Sequence, residues 1–187
     1  MGALMAGTRG WWRRNALALV AVAVLLPATV VGAAWWGWKH AYPDSGMPLW
    51  PVTPGVSGTV DLKGATWGPV KAKVITDTTG LDMPAGATLI GVTVEVTPHG
   101  DKGPDCYAPE LVEQSTGRSW HSVRGELGLS WSTDEPESCV PTLEGEKAEP
   151  YQLVLPYVVP EDAEGPFWVD IDPGQAESKF VRFPIDP

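Results

Sequence analysis

The amino-acid sequence predicts an all-β domain, an antiparallel β-sandwich, preceded by a single N-terminal transmembrane helix. Residues 16–35 form an uncharged run of 20 residues. At about 1.5 Å per residue such a helix is about 30 Å long, which is the thickness of a bilayer hydrocarbon core. After residue 57, short runs of alternating apolar and polar residues are separated by Gly- and Pro-containing turns, and no stretch sustains a 3.6-residue period.

The predicted transmembrane signal-anchor helix covers residues 16–38 and follows a short basic segment, residues 1–15. Tryptophan side chains favour the membrane–water interface, because the ring is apolar and its N–H stays hydrated. Clusters of tryptophan and arginine at the two ends of the apolar run therefore predict membrane-interface residues. These are Trp11, Trp12, Arg13, Arg14, Trp35, Trp36 and Trp38.

The charges around the apolar run predict its orientation. Arg9, Arg13 and Arg14 precede it, whereas only Lys39 and His40 follow it closely. The positive-inside rule then places the N-terminus in the cytoplasm and the C-terminal domain outside. A cleaved signal peptide with its cleavage site near Ala33 is the alternative, and it also exports the rest of the chain.

The remainder of the chain is strongly acidic. Residues 1–39 contain four of the thirteen basic residues and no acidic residue, which leaves nine basic and 23 acidic residues and a net charge of −14. Nucleic-acid binding is not expected, because it needs a basic face. Anionic lipid headgroups also repel such a domain as a whole, so the expected contact with the bilayer is through residues 16–38.

Residues 39–57 are predicted to form a Pro/Gly-rich stalk without helix or strand. Residues 58–187 are predicted to form the extracytoplasmic β-sandwich domain. Pro156 indicates an edge strand or a bulge, and Gly91 indicates close approach by a neighbouring backbone. Trp120 is expected in the core, and Gly117 at a turn that needs positive φ. The predicted strands are residues 59–62, 66–75, 89–97, 109–114, 119–123, 150–159, 167–171 and 180–185.

Cys106 and Cys139 are the only cysteines, and both lie in the exported part. An oxidising compartment favours a disulfide between them. A metal site with two cysteine ligands is the alternative, but His99 and His121 do not lie at ligand spacing.

Acidic residues flank the two cysteines, and a bridge would bring their loops together. Oxygen ligands of this kind suit Ca²⁺, although the spacing matches no known calcium loop and solvated surface loops are the alternative. The candidates are Asp101, Asp105, Asp134, Glu135 and Glu137. Tyr107, Trp131 and Trp168 are candidates for an exposed aromatic binding patch, with packing in the core as the alternative.

No catalytic motif is present in the sequence. The nucleophile elbow, the zinc-protease helix motif, phosphate-binding glycine loops and Cys-x-x-Cys pairs are all missing. His121, next to Trp120, is an isolated histidine that suits an exposed strand position better than a catalytic base. The sequence therefore predicts neither an enzyme nor a cofactor.

Residues 81–96, Leu-Asp-Met-Pro-Ala-Gly-Ala-Thr-Leu-Ile-Gly-Val-Thr-Val-Glu-Val, resemble the central strand of uncharacterised actinobacterial membrane-anchored proteins with an exported immunoglobulin-like domain. The order of later features, and the Trp-Arg-Arg, apolar and Trp-Trp pattern at the N-terminus, are also similar. Those later features are Cys106, Leu111, residues 117–120, Cys139 and residues 157–163. The resemblance implies an immunoglobulin-like sandwich and a disulfide, and it implies no activity.

These observations together predict a non-catalytic interaction or structural module of the cell envelope, such as an accessory subunit of a membrane complex. Its partner would be an unknown envelope or membrane protein. The alternative function is a ligand- or cation-binding sensor domain that uses the acidic loops around the disulfide.

Overall fold

The computed structural model describes residues 8–41, 48–130, 132, 134–140, 147–174 and 178–187. The chain divides into two compact units, Met1–Ser45 and Gly46–Pro187, which are described separately. Trp131, residues 1–7 of the predicted basic segment and residues 42–47 of the predicted stalk lie outside the described residues.

Helix α1 spans Thr8–Ala41 and is longer at both ends than the predicted 16–38. Its residues from Gly10 to Ala41 are long and apolar enough to cross a membrane, and none of them is buried. Pro27 lies inside the helix and has no N–H to donate to the preceding turn. The Thr29 hydroxyl donates to the Leu26 carbonyl at 2.8 Å, so a side chain satisfies one backbone acceptor beside the proline.

The described part of the second unit contains two β-sheets. One sheet has the strand order β1-β9-β8-β5-β6 and the other has the order β2-β3-β4-β7. All neighbours are antiparallel except β1 and β9. The strands are β1 (Trp50–Val52), β2 (Val60–Leu62), β3 (Ala65–Ile75), β4 (Ala87–Pro98), β5 (Glu110–Glu113), β6 (Ser119–His121), β7 (Tyr151–Pro160), β8 (Phe167–Ile171) and β9 (Lys179–Ile185).

Each of the eight predicted strands is confirmed, with boundaries that shift by no more than two residues. The prediction that residues 39–57 form neither helix nor strand is wrong in two places. Residues 39–41 continue α1, and Trp50–Val52 form β1, which pairs in parallel with β9. Pro51 weakens the strand signal in the sequence, because proline cannot donate a backbone hydrogen bond to a neighbouring strand. An edge strand tolerates a proline, because the N–H groups on its outer side need no partner.

Buried side chains from both sheets form one hydrophobic core. The alternating residues of β7, Tyr151, Leu153, Leu155, Tyr157 and Val159, all contribute to it, as the sequence predicts. Trp120 packs against the core and is only partly buried. Among the tryptophans that the structure describes, Trp67 of β3 is fully buried, and its Nε1 donates to the Leu62 carbonyl at 2.9 Å.

Strand β3 contains a bulge between Trp67 and Val70. Gly68 at this point has φ of +90°, and a Cβ there would lie 2.6 Å from the Gly58 carbonyl oxygen and 3.0 Å from the Phe183 ring. Only glycine fits such a conformation and contact. The bulge therefore lets β3 approach Phe183, which belongs to the other sheet.

Tyr157 connects the two sheets through a buried hydrogen bond. Its side chain is fully buried on β7, and its hydroxyl donates to the carbonyl of Pro109, immediately before β5, at 2.9 Å. Burial raises the pKa of the Tyr157 phenol well above its usual range, so the group stays a neutral donor.

We expect Tyr157→Phe to destabilise the domain by about 1–2 kcal/mol, because the buried Pro109 carbonyl loses its donor while the ring still fills the core. Tyr107→Phe is the matched control, since Tyr107 is 74% exposed. Thermal unfolding of the full chain in a nonionic detergent measures both. Equal melting temperatures for wild type and Tyr157→Phe would contradict this role.

Candidate functional site

Cys106 and Cys139 form a disulfide, with an S–S distance of 2.09 Å and a Cα–Cα distance of 5.1 Å. The predicted bridge is therefore present in the structure, and the two thiols are not available to a metal. It joins the connection between β4 and β5 to the end of the segment 122–138, which follows β6. Closing a loop of this size stabilises the fold by about 3–4 kcal/mol in the chain-entropy account.

The described residues of segment 122–138 contact the outer edge of β7. The Val123 N–H donates to the Pro156 carbonyl at 3.0 Å, and the Val154 N–H donates to the Pro136 carbonyl at 2.9 Å. β7 ends its sheet, as the position of Pro156 in the sequence predicts. The segment therefore covers an edge that would otherwise offer free backbone groups to another chain.

Arg124 is the main polar contact within this segment, and its side chain is only 7% exposed. Its Nη2 donates to Glu135 at 3.0 Å, and its Nη1 donates to the Ser130 carbonyl at 3.4 Å. Its Nε is buried without a hydrogen bond, 3.9 Å from Glu137 Oε1. Since a buried guanidinium needs carboxylate partners, Arg124 fixes the positions of these two acidic residues.

The acidic candidates for a cation site are consequently not brought together. Glu135 and Glu137 contact Arg124, and Glu137 also accepts a short hydrogen bond from Ser122. Asp101, Asp105 and Asp134 are exposed. Among the residues that the structure describes, no group of three His, Cys, Asp or Glu side chains could hold a metal ion.

The outer face of the sheet β2-β3-β4-β7 carries a groove of about 550 Å³. Two cross-strand rows of β3, β4 and β7 line it, and each row begins with an exposed lysine. One row is Lys73–Gly91–Pro156, and the other is Lys71–Thr93–Val154. Arg124, Leu129 and Glu135 of segment 122–138 also line the groove. It therefore lies between the sheet and the segment that the disulfide holds.

Gly91 has no Cβ, and the Ile75 side chain packs directly over it. A Cβ at this position would lie 3.2 Å from Cδ1 of Ile75, which together with Leu89 lines the same groove. The close neighbour that the sequence predicts for Gly91 is thus mainly a side chain, because the nearest backbone atom, the Lys73 carbonyl oxygen, is 4.0 Å away.

A second recess of about 540 Å³ lies where β5, β6, β8 and β9 run side by side. Its lining includes Tyr107, Glu110, His121 and Arg182. Arg182 makes two hydrogen bonds to Asp170, at 2.8 and 2.6 Å, and its guanidinium lies 4.2 Å from the centre of the Trp168 ring. The hydrogen bonds to Asp170 raise the pKa of Arg182, which fixes this side chain as a cation.

Two of the three aromatic residues predicted for a binding patch lie at or beside this recess, and they differ in exposure. Tyr107 is 74% exposed and lines it, whereas Trp168 is half-buried beneath Arg182. His121 is exposed, and its Nδ1 lies 3.7 Å from Glu110. The third aromatic residue, Trp131, lies outside the described residues.

Glu113 is the most buried carboxylate in the described part of the chain. Arg118 donates to it twice, at 2.9 and 3.1 Å, and the Glu164 N–H donates at 2.8 Å. Thr116 adds a short hydrogen bond, and Arg118 also binds Asp162. These contacts connect the β5–β6 turn to the turn after β7, and they leave Glu113 fully satisfied, which indicates a structural role.

The predicted membrane-interface residues form aromatic clusters at both ends of α1. The rings of Trp11 and Trp12 meet edge to face at 5.3 Å, and those of Trp35 and Trp38 lie 5.5 Å apart. Trp36 contacts His40 at 4.3 Å. All five tryptophans are exposed, as are Arg13 and Arg14, so both clusters are available to a surrounding medium.

The sequence predictions missed Arg124, Glu113 and the groove. Arg124 lies in a stretch without periodicity, where the sequence shows only a charged residue between turns. Glu113 and Arg118 flank the predicted hairpin turn, and this pairing of opposite charges across a turn is a signal that could have revealed their contact. The groove is lined by residues of three strands that are distant in sequence, so no local sequence pattern reveals it.

No family model and no curated protein matches the chain. Among solved structures, the chain is similar to the X-ray structure of Northeast Structural Genomics Consortium target SoR45, at 12% sequence identity and a TM-score of 0.31. The match covers 66% of this chain and 83% of the other.

We expect the pH dependence of stability to depend on Glu113. Hydrogen bonds from Arg118, then from Thr116 and the Glu164 N–H, lower the pKa of Glu113 from 4.5 to about 2. Because the folded pKa lies below the unfolded one, this stabilisation is present above about pH 4.5 and is lost as the pH falls towards about 2. Glu113→Gln should lower the melting temperature near neutral pH and flatten its decline in acid.

The measurement is thermal unfolding of the full chain from neutral to acidic pH. Glu110→Gln is the control. The side chain of Glu110 is 45% exposed, and within the described residues His121 is its only ion-pair partner. It should keep the wild-type pH profile. Parallel profiles for wild type and Glu113→Gln would show that Glu113 does not contribute in this way.

Proposed function

We propose that the protein is a single-pass membrane protein with a cytoplasmic N-terminus and an extracytoplasmic immunoglobulin-like β-sandwich. In this proposal it is a non-catalytic interaction or structural module of the cell envelope, such as an accessory subunit of a membrane complex. The proposal rests mainly on α1, whose apolar side chains are exposed along the whole helix. Side chains of this kind need a hydrocarbon environment or a protein partner.

The charge and the redox chemistry of the chain support the proposed orientation. Arg13 and Arg14 precede the apolar part of α1, and the positive-inside rule places such residues in the cytoplasm. The Cys106–Cys139 disulfide lies in the second unit and suits an oxidising compartment. Retention of α1 as an anchor, rather than cleavage near Ala33, is supported by the exposed tryptophans at both of its ends, which suit a permanent position across an interface.

A cation-sensor function has less support from the positions of the acidic residues. Its acidic residues are divided between exposed positions and the partners of Arg124. A cation would have to compete with a buried guanidinium for Glu135 and Glu137, and this competition is unfavourable.

We expect the C-terminal tryptophan cluster of α1 to contribute to partner binding, because it lies at the end of the helix that leads into the folded domain. Crosslinking in cells, followed by affinity purification of the full chain, should recover a membrane complex. Replacing Trp35 and Trp36 with alanine should remove most of that complex, since aromatic anchors dominate binding energies at interfaces.

Trp11→Ala with Trp12→Ala is the matched control, because it removes the same number of rings from the other end of the helix. All variants should remain in the membrane fraction, which separates partner binding from anchoring. If the wild-type chain yields no crosslinked complex, or if both double variants retain it equally, the proposed use of this cluster is wrong.

A further inference from the structure

We propose that the groove on the outer face of the sheet β2-β3-β4-β7 binds a single-chain anionic amphiphile of the fatty-acid type. The shape, lining and charge of the groove support this assignment, whichever way the chain is anchored. The groove has apolar side chains packed around Gly91, two lysines among its lining residues, and a volume that fits one alkyl chain.

The lining of the groove is suited to an alkyl chain. Gly91 has no side chain of its own, the Ile75 side chain packs over it, and Leu89 and Pro156 line the groove beside them. Leu129 of segment 122–138 adds an apolar contact from the opposite side. Burial of methylene groups against such a surface is favourable, so a long chain gains affinity mainly from these contacts.

The rim supplies positive charge for an anionic head group. Lys71 and Lys73 both extend from β3 on this face and are exposed. Lys71 lies 3.7 Å from Glu95, whereas Lys73 has no ion-pair partner in the described part of the chain. Arg124 and Glu135 pair with each other at the wall. The Lys73 ammonium is therefore the group expected to hold a carboxylate.

The lining of the groove has a net positive charge, whereas the domain as a whole is strongly acidic. The part of the chain after residue 39 has nine basic and 23 acidic residues, and three of the nine basic residues line this groove together with a single acidic residue. An extended anionic surface, such as a bilayer face, would be repelled by the whole domain. A single carboxylate is held instead by the local charge, because screening limits the wider repulsion to about 8 Å at physiological ionic strength.

The volume sets the size of the ligand. An engineered cavity of about 150 Å³ holds benzene, which has six carbon atoms, so a groove of about 550 Å³ accommodates roughly 20 heavy atoms. That is one alkyl chain with a carboxylate, and a two-chain phospholipid is too large. An extended peptide added to the sheet is also disfavoured, because Val123 and Pro136 already bond two outer backbone groups in the middle of β7.

The test uses the full chain in phosphatidylcholine nanodiscs and a palmitic acid analogue that carries a photoreactive diazirine on its chain. After illumination, proteolysis and mass spectrometry locate the labelled peptides. Labelling is expected in residues 71–75, 89–93 and 154–156, and excess unlabelled palmitate should suppress it. The methyl ester of the same probe has no charge and should label these peptides about fivefold less.

Three variants make the test specific. Thr93→Trp fills the groove and should abolish its labelling. Lys73→Glu reverses the charge at the rim and should lower labelling about fivefold or more. Lys102→Glu makes the same charge change at an exposed loop position and should stay within about twofold of wild type.

Thermal unfolding confirms that each variant is folded, and Lys73→Glu still tests the head-group contact if Thr93→Trp does not fold. Labelling confined to α1, or labelling of the groove peptides that palmitate does not suppress, overturns the proposal. Equal labelling by the acid and its methyl ester, unchanged in Lys73→Glu, overturns the anionic head group.

Discussion

The apolar side chains of α1 are exposed along the helix, and the proposed topology of the protein depends on that constraint. This helix of 34 residues exposes Val and Leu along its length, which is unfavourable in water. Lipid or another protein is therefore expected to surround it. Its length of about 51 Å exceeds the 30 Å of a bilayer core, so in the proposed topology the tryptophan clusters at its ends would fall in the interfacial regions. The same proposal would place the second unit in a compartment where a disulfide is stable.

The disulfide and Arg124 together hold the described residues of segment 122–138 against the sheet. Without a constraint, a long segment after β6 would be mobile and would leave the edge of β7 open. The bond at Cys139 fixes one end of that segment, and Arg124 organises its middle through Glu135 and Glu137. Two backbone hydrogen bonds then hold it along β7. The groove on the sheet exists because this segment forms its second wall.

Much of the fold could be predicted from the sequence, because strand periodicity and apolar runs are local signals. The alternation in β4 and β7, the turn at Gly117 and the edge position of Pro156 were readable in this way. Strand β1 was not, since its pairing with β9 connects residues that are about 130 positions apart and Pro51 weakens its local pattern.

The candidate site was far less predictable than the fold. The acidic residues near the cysteines suggested a cation site, but the sequence does not show that a buried arginine lies between two of them. In the sequence, Lys71 and Lys73 are simply the polar positions of an alternating strand. Their relation to Gly91 and Pro156 depends on the register of β3, β4 and β7, which the sequence does not specify.

The measurement that tests the central claim most directly is labelling of intact cells with a membrane-impermeant amine reagent, followed by the intact mass of the labelled protein. Apart from Lys39 at the end of α1, every lysine lies in the second unit, and all of these are exposed: Lys63, Lys71, Lys73, Lys102, Lys147 and Lys179. The account predicts full-length protein labelled without lysis. Labelling only after lysis, or a labelled species that lacks the residues before Ala33, would contradict an anchored extracytoplasmic domain.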